Sequence, residues 1–243
     1  MHAWEYLLLF ASVLVGGGLV FTANHRRVQR LLPLILSFSG AYLLGIAALH
    51  LMPGVFGQGD STVGYWLLGG FFIQLFLEPL SQGVEHGHIH AHAGARPAFG
   101  LQIMLGLCIH AFFEGLPLPA YVGLADEHVH QHNDLLFGIV LHKLPAAFAL
   151  AALLRGSGFR TRTVVAAVLF FAAVSPLAAA LSGWLTLSTL WQNRLLALVI
   201  GSFLHIATTI LFEAEARGNH HISTSKLIAV LLGGALAVAG SLV

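Results

Sequence analysis

The chain has 243 residues, of which 57% are hydrophobic and 9% charged, with 11 Lys and Arg against 10 Asp and Glu. A soluble domain carries about 25% charged residues, so a water-soluble enzyme, a disordered chain and a coiled coil are excluded, and a net charge of +1 lacks the basic footprint that nucleic-acid binding needs. What remains is a polytopic helical membrane protein in which 15 histidines outnumber either sign of fixed charge.

A helix needs about 20 apolar residues to cross a bilayer. Such runs fall near 3–22, 31–53, 63–83, 99–119, 134–154, 163–184, 192–212 and 226–243. They are continuously apolar rather than alternating, which argues against a β-barrel. The predicted fold is all-α, about eight transmembrane helices in a single transmembrane domain over 1–243, with a histidine-rich loop at about 85–98. The opening Met1-His2-Ala3-Trp4-Glu5 has no basic stretch, so no cleaved signal peptide is expected.

In chain order, Arg26, Arg27 and Arg30 separate spans one and two, and span two ends in His50-Leu51-Met52-Pro53. Span three carries Glu78. The loop after it reads Glu85-His86-Gly87-His88-Ile89-His90-Ala91-His92, followed by Arg96. Span four contains Cys108, His110, Glu114 and Pro117. As the single cysteine, Cys108 excludes an internal disulfide and reads as a small buried apolar residue. Beyond span four, Asp126-Glu127-His128-Val129-His130-Gln131-His132 is dense in ligand types, although a solvated acidic loop has the same composition. Span five contains His142-Lys143-Leu144-Pro145-Ala146. Arg155, Arg160 and Arg162 follow it, span six holds Ser175, span seven holds His205, and Arg217 and Lys226 precede span eight. Nine of the 11 cationic side chains thus lie in odd-numbered loops. The positive-inside rule predicts that those loops are cytoplasmic and both termini outside, and the expected location is a plasma (inner) membrane.

An ionisable residue inside the bilayer is costly and marks function by default. At ~1.5 Å per residue, His110 lies ~17 Å from the inner boundary and His142 ~12 Å from the outer one. In a core ~30 Å thick the two are nearly level. His110 and Glu114, spaced i,i+4, share a helix face. Two ligands from one helix and one from its neighbour suit a first-row divalent ion. Pro117 and Pro145 are each predicted to free a backbone carbonyl, that of Phe113 and that of Leu141. Interrupted helices of this kind mark transporter sites. A lone membrane histidine such as His205 or His50 is as readily explained by a hydrogen bond to a neighbouring helix. Lys143 has its own bland reading, a salt bridge to Glu114.

At these residues the sequence resembles the ZIP (Zrt/Irt-like) family of divalent-metal transporters. Eight spans, external termini and a histidine-rich loop between spans three and four fit the family pattern. His50-Leu51-Met52-Pro53 is similar to its H-x-x-P ending, His110 to Gly115 to its H-N-x-P-E-G element, and His142 to Pro145 to its H-E-x-P-H-E element. The chain departs from that pattern at Ala111, Phe113, Lys143 and Ala146, positions that would serve a second metal. The resemblance therefore implies a mononuclear site of His110, Glu114 and His142. The Lys143 ammonium would stand where a second cation sits. The resemblance also implies import toward the cytoplasm, with spans four and five and their neighbours moving against the rest.

The expected cargo is a divalent metal ion, zinc first, with iron, manganese and cadmium also fitting the ligands. Accessory positions along the route are Lys143, His50, Glu78, Ser175, His205, His86, His88, His90, His92, His128, His130 and His132. The expected partners are the metal ion and the lipid bilayer, with no nucleic acid, and the small-residue face of span eight would suit a homodimer. Two other readings stay open. An intramembrane metal hydrolase would use the same ligands, although no H-E-x-x-H element occurs. A sensor or degenerate transporter would bind metal without moving it.

Overall fold

The computed structural model describes residues 1–22, 25–87, 97–119, 121, 131–185, 187–213 and 223–241, and the side chains at 25–30, 131–134, 213 and 241 lie outside that description. Among the described residues the chain is helical and contains no strand. In order come α1 (Ala3–Thr22), α2 (His25–Ile46), a π turn (Ala47–Leu51), α3 (Met52–Gly57) and α4 (Val63–Ser81). A 3-10 turn (Val84–His86) follows, then α5 (Pro97–Gly115), α6 (Gln131–Gly156), α7 (Thr161–Trp184), α8 (Thr189–Glu213) and α9 (Thr224–Ser241). Among the described residues seven stretches are long and apolar enough to cross a membrane, and the apolar run Thr224–Gly240 in α9 is slightly shorter. The chain is therefore an all-α, integral membrane bundle. Spans four and five of the sequence are α5 and α6.

Within lipid, apolar helices gain little from hiding apolar surface, so close backbone approach at small residues drives their packing. Four helix pairs close in this way. Gly16 of α1 faces the Leu144 carbonyl of α6, and Gly233 of α9 faces the Phe38 carbonyl of α2. Gly70 and Gly201 face the carbonyls of Leu198 and Leu67 across α4 and α8, and Gly115 of α5 faces that of Ser175 in α7. None of these places has room for a methyl group.

The α6 helix runs through the middle, with its apolar stretch 78% buried, against 22% for α4 at the rim. Large apolar side chains such as Tyr65, Phe76, Leu101 and Phe170 point outward, as a lipid-facing surface requires.

Two local departures from straight helix matter. Span two continues through the π turn at Ala47–Leu51, which carries His50 and precedes Pro53 at the start of α3. A proline has no N–H to give the carbonyl four residues back, and the wider turn takes up that mismatch. Pro117 interrupts the helix as expected: α5 ends at Gly115, Leu116 and Pro117 form a turn, and helical residues resume at Leu118 and Pro119. Proline disfavours the helical conformation of the residue before it, so the break falls at Leu116. Pro145 does lie inside its helix, as expected.

Candidate metal site

Helical spacing sets His110 and Glu114 one turn apart on α5, with His110 Nε2 2.9 Å from Glu114 Oε1. The α6 helix brings His142 to the same place. The His110 and His142 rings meet edge-on, 5.9 Å between centroids. One ligand atom each from His110, Glu114 and His142 lie within 4.8 Å of one another, and all three residues are buried. The next residue of α6, Lys143, is the largest fully buried side chain among the described residues. Its Nζ is 2.7 Å from Glu114 Oε2 and 5.1 Å from the Phe171 ring centroid of α7. An ammonium there has the carboxylate and the aromatic face in place of water. Ala146, one turn beyond His142, is buried and has no ligand atom.

The imidazoles differ in their support. Neither ring nitrogen of His142 has a hydrogen-bond partner among the described residues. His110 Nδ1 lies 3.0 Å from Gln74 Oε1 of α4. Ser202 Oγ of α8 donates to that same oxygen at 3.1 Å, and Gln74 Nε2 donates to Glu85 Oε2 at 3.2 Å. Ser81 Oγ also donates to Glu85 Oε2, at 3.1 Å. Glu85 reaches this position because Gln82, Gly83 and Gly87 take left-handed backbone angles and turn the chain back under the helices. Burial pushes its carboxyl above the usual carboxylate range.

The accessory residues fall into separate places. Ser175 donates to the Ala111 carbonyl at 2.6 Å, tying α7 to α5 rather than joining the ligand cluster. His50 is buried on the π turn. Glu78, one turn beyond Gln74, meets His205 of α8, with Oε2 2.8 Å from Nε2. His86 Nδ1 is 3.9 Å from Glu78 Oε1. His88, His90, His92, His128 and His130 lie outside the described residues, as does the side chain of His132. Sequence reasoning missed Gln74, Glu85 and Ser202. Gln74 carries a usable signal, since an uncharged amide in a span also needs partners, although it lacks the charge that marks an ionisable group.

A model of the ZIP Zinc transporter family matches residues 80–239. The chain belongs to the ZIP family. The ZIP match takes in His110, Glu114, His142, Lys143 and His205, and leaves His50, Gln74 and Glu78 ahead of it. Zinc transporter ZIP9-B of Xenopus laevis is 27% identical over 169 residues, covering 65% of this chain and 55% of that protein. Zinc transporter ZIP9 of Micropogonias undulatus is 26% identical over 196 residues, covering 72% and 62%. Zinc transporter SLC39A7 of Rattus norvegicus is 34% identical over 116 residues, covering 37% and 25%. The chain thus matches 55% to 62% of the length of these two ZIP9 relatives.

Proposed function

We propose that this ZIP chain moves a divalent transition metal ion, zinc first, toward the cytoplasm through one buried site. His110, Glu114 and His142 hold the ion as substrate, and water or the Leu141 carbonyl released by Pro145 completes its shell. The observation that carries this reading is the convergence of three ligand atoms within 4.8 Å inside a membrane bundle. Imidazole nitrogen and carboxylate oxygen suit zinc, and iron, manganese and cadmium remain alternatives. Lys143 takes the place of a second cation. An ammonium and another ion ~4 Å apart repel by about 4 kcal/mol per unit charge at an effective dielectric of 20, so the site holds one ion.

The Glu78, His205 and His86 cluster is the next station inward, and His50 is the station toward the outer mouth. Weak, successive sites let an ion leave as well as enter. The arginine-bearing loops face the cytoplasm and the termini face outside, which supports an inward route from a plasma membrane. The hydrolase reading loses ground to family membership and to the missing H-E-x-x-H element.

Zinc uptake into proteoliposomes tests the site. His110→Ala and His142→Ala are expected to reduce uptake to the protein-free background, and wild-type rates in both would refute the assignment. Ligands must lose their protons to bind a metal, so uptake is expected to fall as pH drops through the histidine range. A second reading, metal binding without flux, is favoured by the Lys143–Glu114 ion pair, which already occupies one carboxylate oxygen. Tight zinc binding with no uptake would select it.

A further inference from the structure

We infer that Gln74 is a positioning residue, which holds hydrogen on His110 Nδ1 and so reserves His110 Nε2 for the ion. The inference rests on the site proposed above. It begins from a cost: Gln74 is 1% exposed on a lipid-spanning helix, where an amide must find its hydrogen bonds inside the protein.

Amide orientation and ring tautomer are read from the partners each atom meets. On the nitrogen side, Gln74 Nε2 is 3.2 Å from Glu85 Oε2, which also accepts from Ser81 Oγ. Reversing the amide would press two acceptor oxygens together. The arrangement does not require an ionised Glu85. Its other oxygen, Oε1, has no hydrogen-bond partner among the described residues. With a proton on Oε1, Oε2 still accepts from Gln74.

The amide oxygen must therefore face the other way, toward Ser202 Oγ at 3.1 Å and His110 Nδ1 at 3.0 Å. Both are donors to it, so Nδ1 carries a hydrogen. The remaining nitrogen, Nε2, is 2.9 Å from Glu114 Oε1 on the side where the ligand atoms converge, a contact that shares a second hydrogen in the empty protein and gives it up when the ion binds. With the hydrogen on Nε2 alone, the coordinating nitrogen would be blocked. A ring whose second nitrogen is fixed by an outer partner binds metal more tightly, and loss of such a partner typically costs 10- to 100-fold in affinity. The turn at Val84–His86 thus reaches the metal site through Glu85 and Gln74 without touching the ion.

Nitrogen-15 NMR of the full-length chain labelled at histidine, in lipid bilayers, tests this with and without zinc. His110→Ala assigns the signal. The expected result is a hydrogen on Nδ1 in the empty and zinc-loaded protein, and a ring that moves to the Nε2–H form in empty Gln74→Met. Zinc affinity of Gln74→Met is expected to fall about 10- to 100-fold. The exchange Gln74→Glu with Glu85→Gln keeps an acceptor for Nδ1 and an amide donor behind it, so it is expected to restore both the Nδ1 hydrogen and the affinity. A structural role for Gln74 would be met by the similarly shaped methionine and not by the exchange.

A His110 ring without hydrogen on Nδ1 in the wild type overturns the inference, as does a Gln74→Met protein with unchanged tautomer and affinity. The tautomer in empty protein is independent of the site reading. If His110→Ala binds zinc like the wild type, the site assignment fails while the hydrogen-bond result stands on its own.

Discussion

The cluster between α5 and α6 and the cluster between α4 and α8 are built from the same materials, histidine and glutamate, and differ in what surrounds them. His110, Glu114, His142 and Lys143 are at most 3% exposed, and Glu114 is answered by a lysine held against an aromatic ring. Glu78 is 25% exposed, with His205 in hydrogen-bond contact and His86 at 3.9 Å. A fully buried charge depends on its partner, whereas a partly exposed one depends on it less. On the proposed route, the first arrangement would fix an ion's position and the second would let it pass.

The sharpest way to break this comparison is Glu114→Ala. It leaves the Lys143 ammonium buried and unpaired, which typically costs ~3–5 kcal/mol, and zinc uptake is expected to vanish with it. The double change Glu114→Met with Lys143→Met removes both charges and is expected to recover most of the thermal stability but none of the uptake. A single variant as stable as wild type in thermal unfolding would show that the cluster is wet. A smaller effect is expected from Glu78→Ala. Partly exposed pairs contribute ~0–1 kcal/mol, so stability should change less than in Glu114→Ala and uptake should fall by less than about tenfold. Equal losses at Glu78 and Glu114 would erase the distinction between the clusters.

The smallest effect is expected in the turn before α4, away from both clusters. Hydrogen bonds from the Thr62 backbone and side chain, then from Arg194, hold the Asp60 carboxyl down at about 2. A depressed carboxyl stabilises the fold above its ordinary value of 3.8 and loses that contribution as pH falls through about 2. Asp60→Asn should therefore lower Tm slightly at neutral pH, with the difference from wild type gone by about pH 2.

The spans were legible because lipid demands long apolar runs. The run 3–22 coincides with α1, and the eight expected runs match the helices found, with α9 slightly short. His110, Glu114 and His142 were legible because helix period and depth suffice to bring ionisable groups on consecutive spans together. Pro117 was legible as an interruption because a proline disfavours helix at the residue before it, and the turn at Leu116 and Pro117 falls there. Glu85 was hidden. Its place depends on three left-handed residues, Gln82, Gly83 and Gly87, and a reading by hydropathy assigned it to a solvated histidine loop. Gln74 was passed over as uncharged, and its partners come from α8, α5 and that turn.

The sequence distance spanned by the buried polar contacts bears on how the molecule is made. Membrane helices are inserted individually and associate afterwards. Glu114 and Lys143 sit on consecutive helices and can neutralise each other as soon as α6 has entered. Gln74 and Glu78 enter with α4, but Ser202 and His205 follow 128 and 127 residues later. Until α8 arrives, the amide and the carboxylate of α4 lack these partners. These contacts therefore form only once α8 has packed against α4. A chain that has inserted α4 without α8 leaves the Gln74 amide oxygen without Ser202, which distinguishes an unfinished bundle from a finished one.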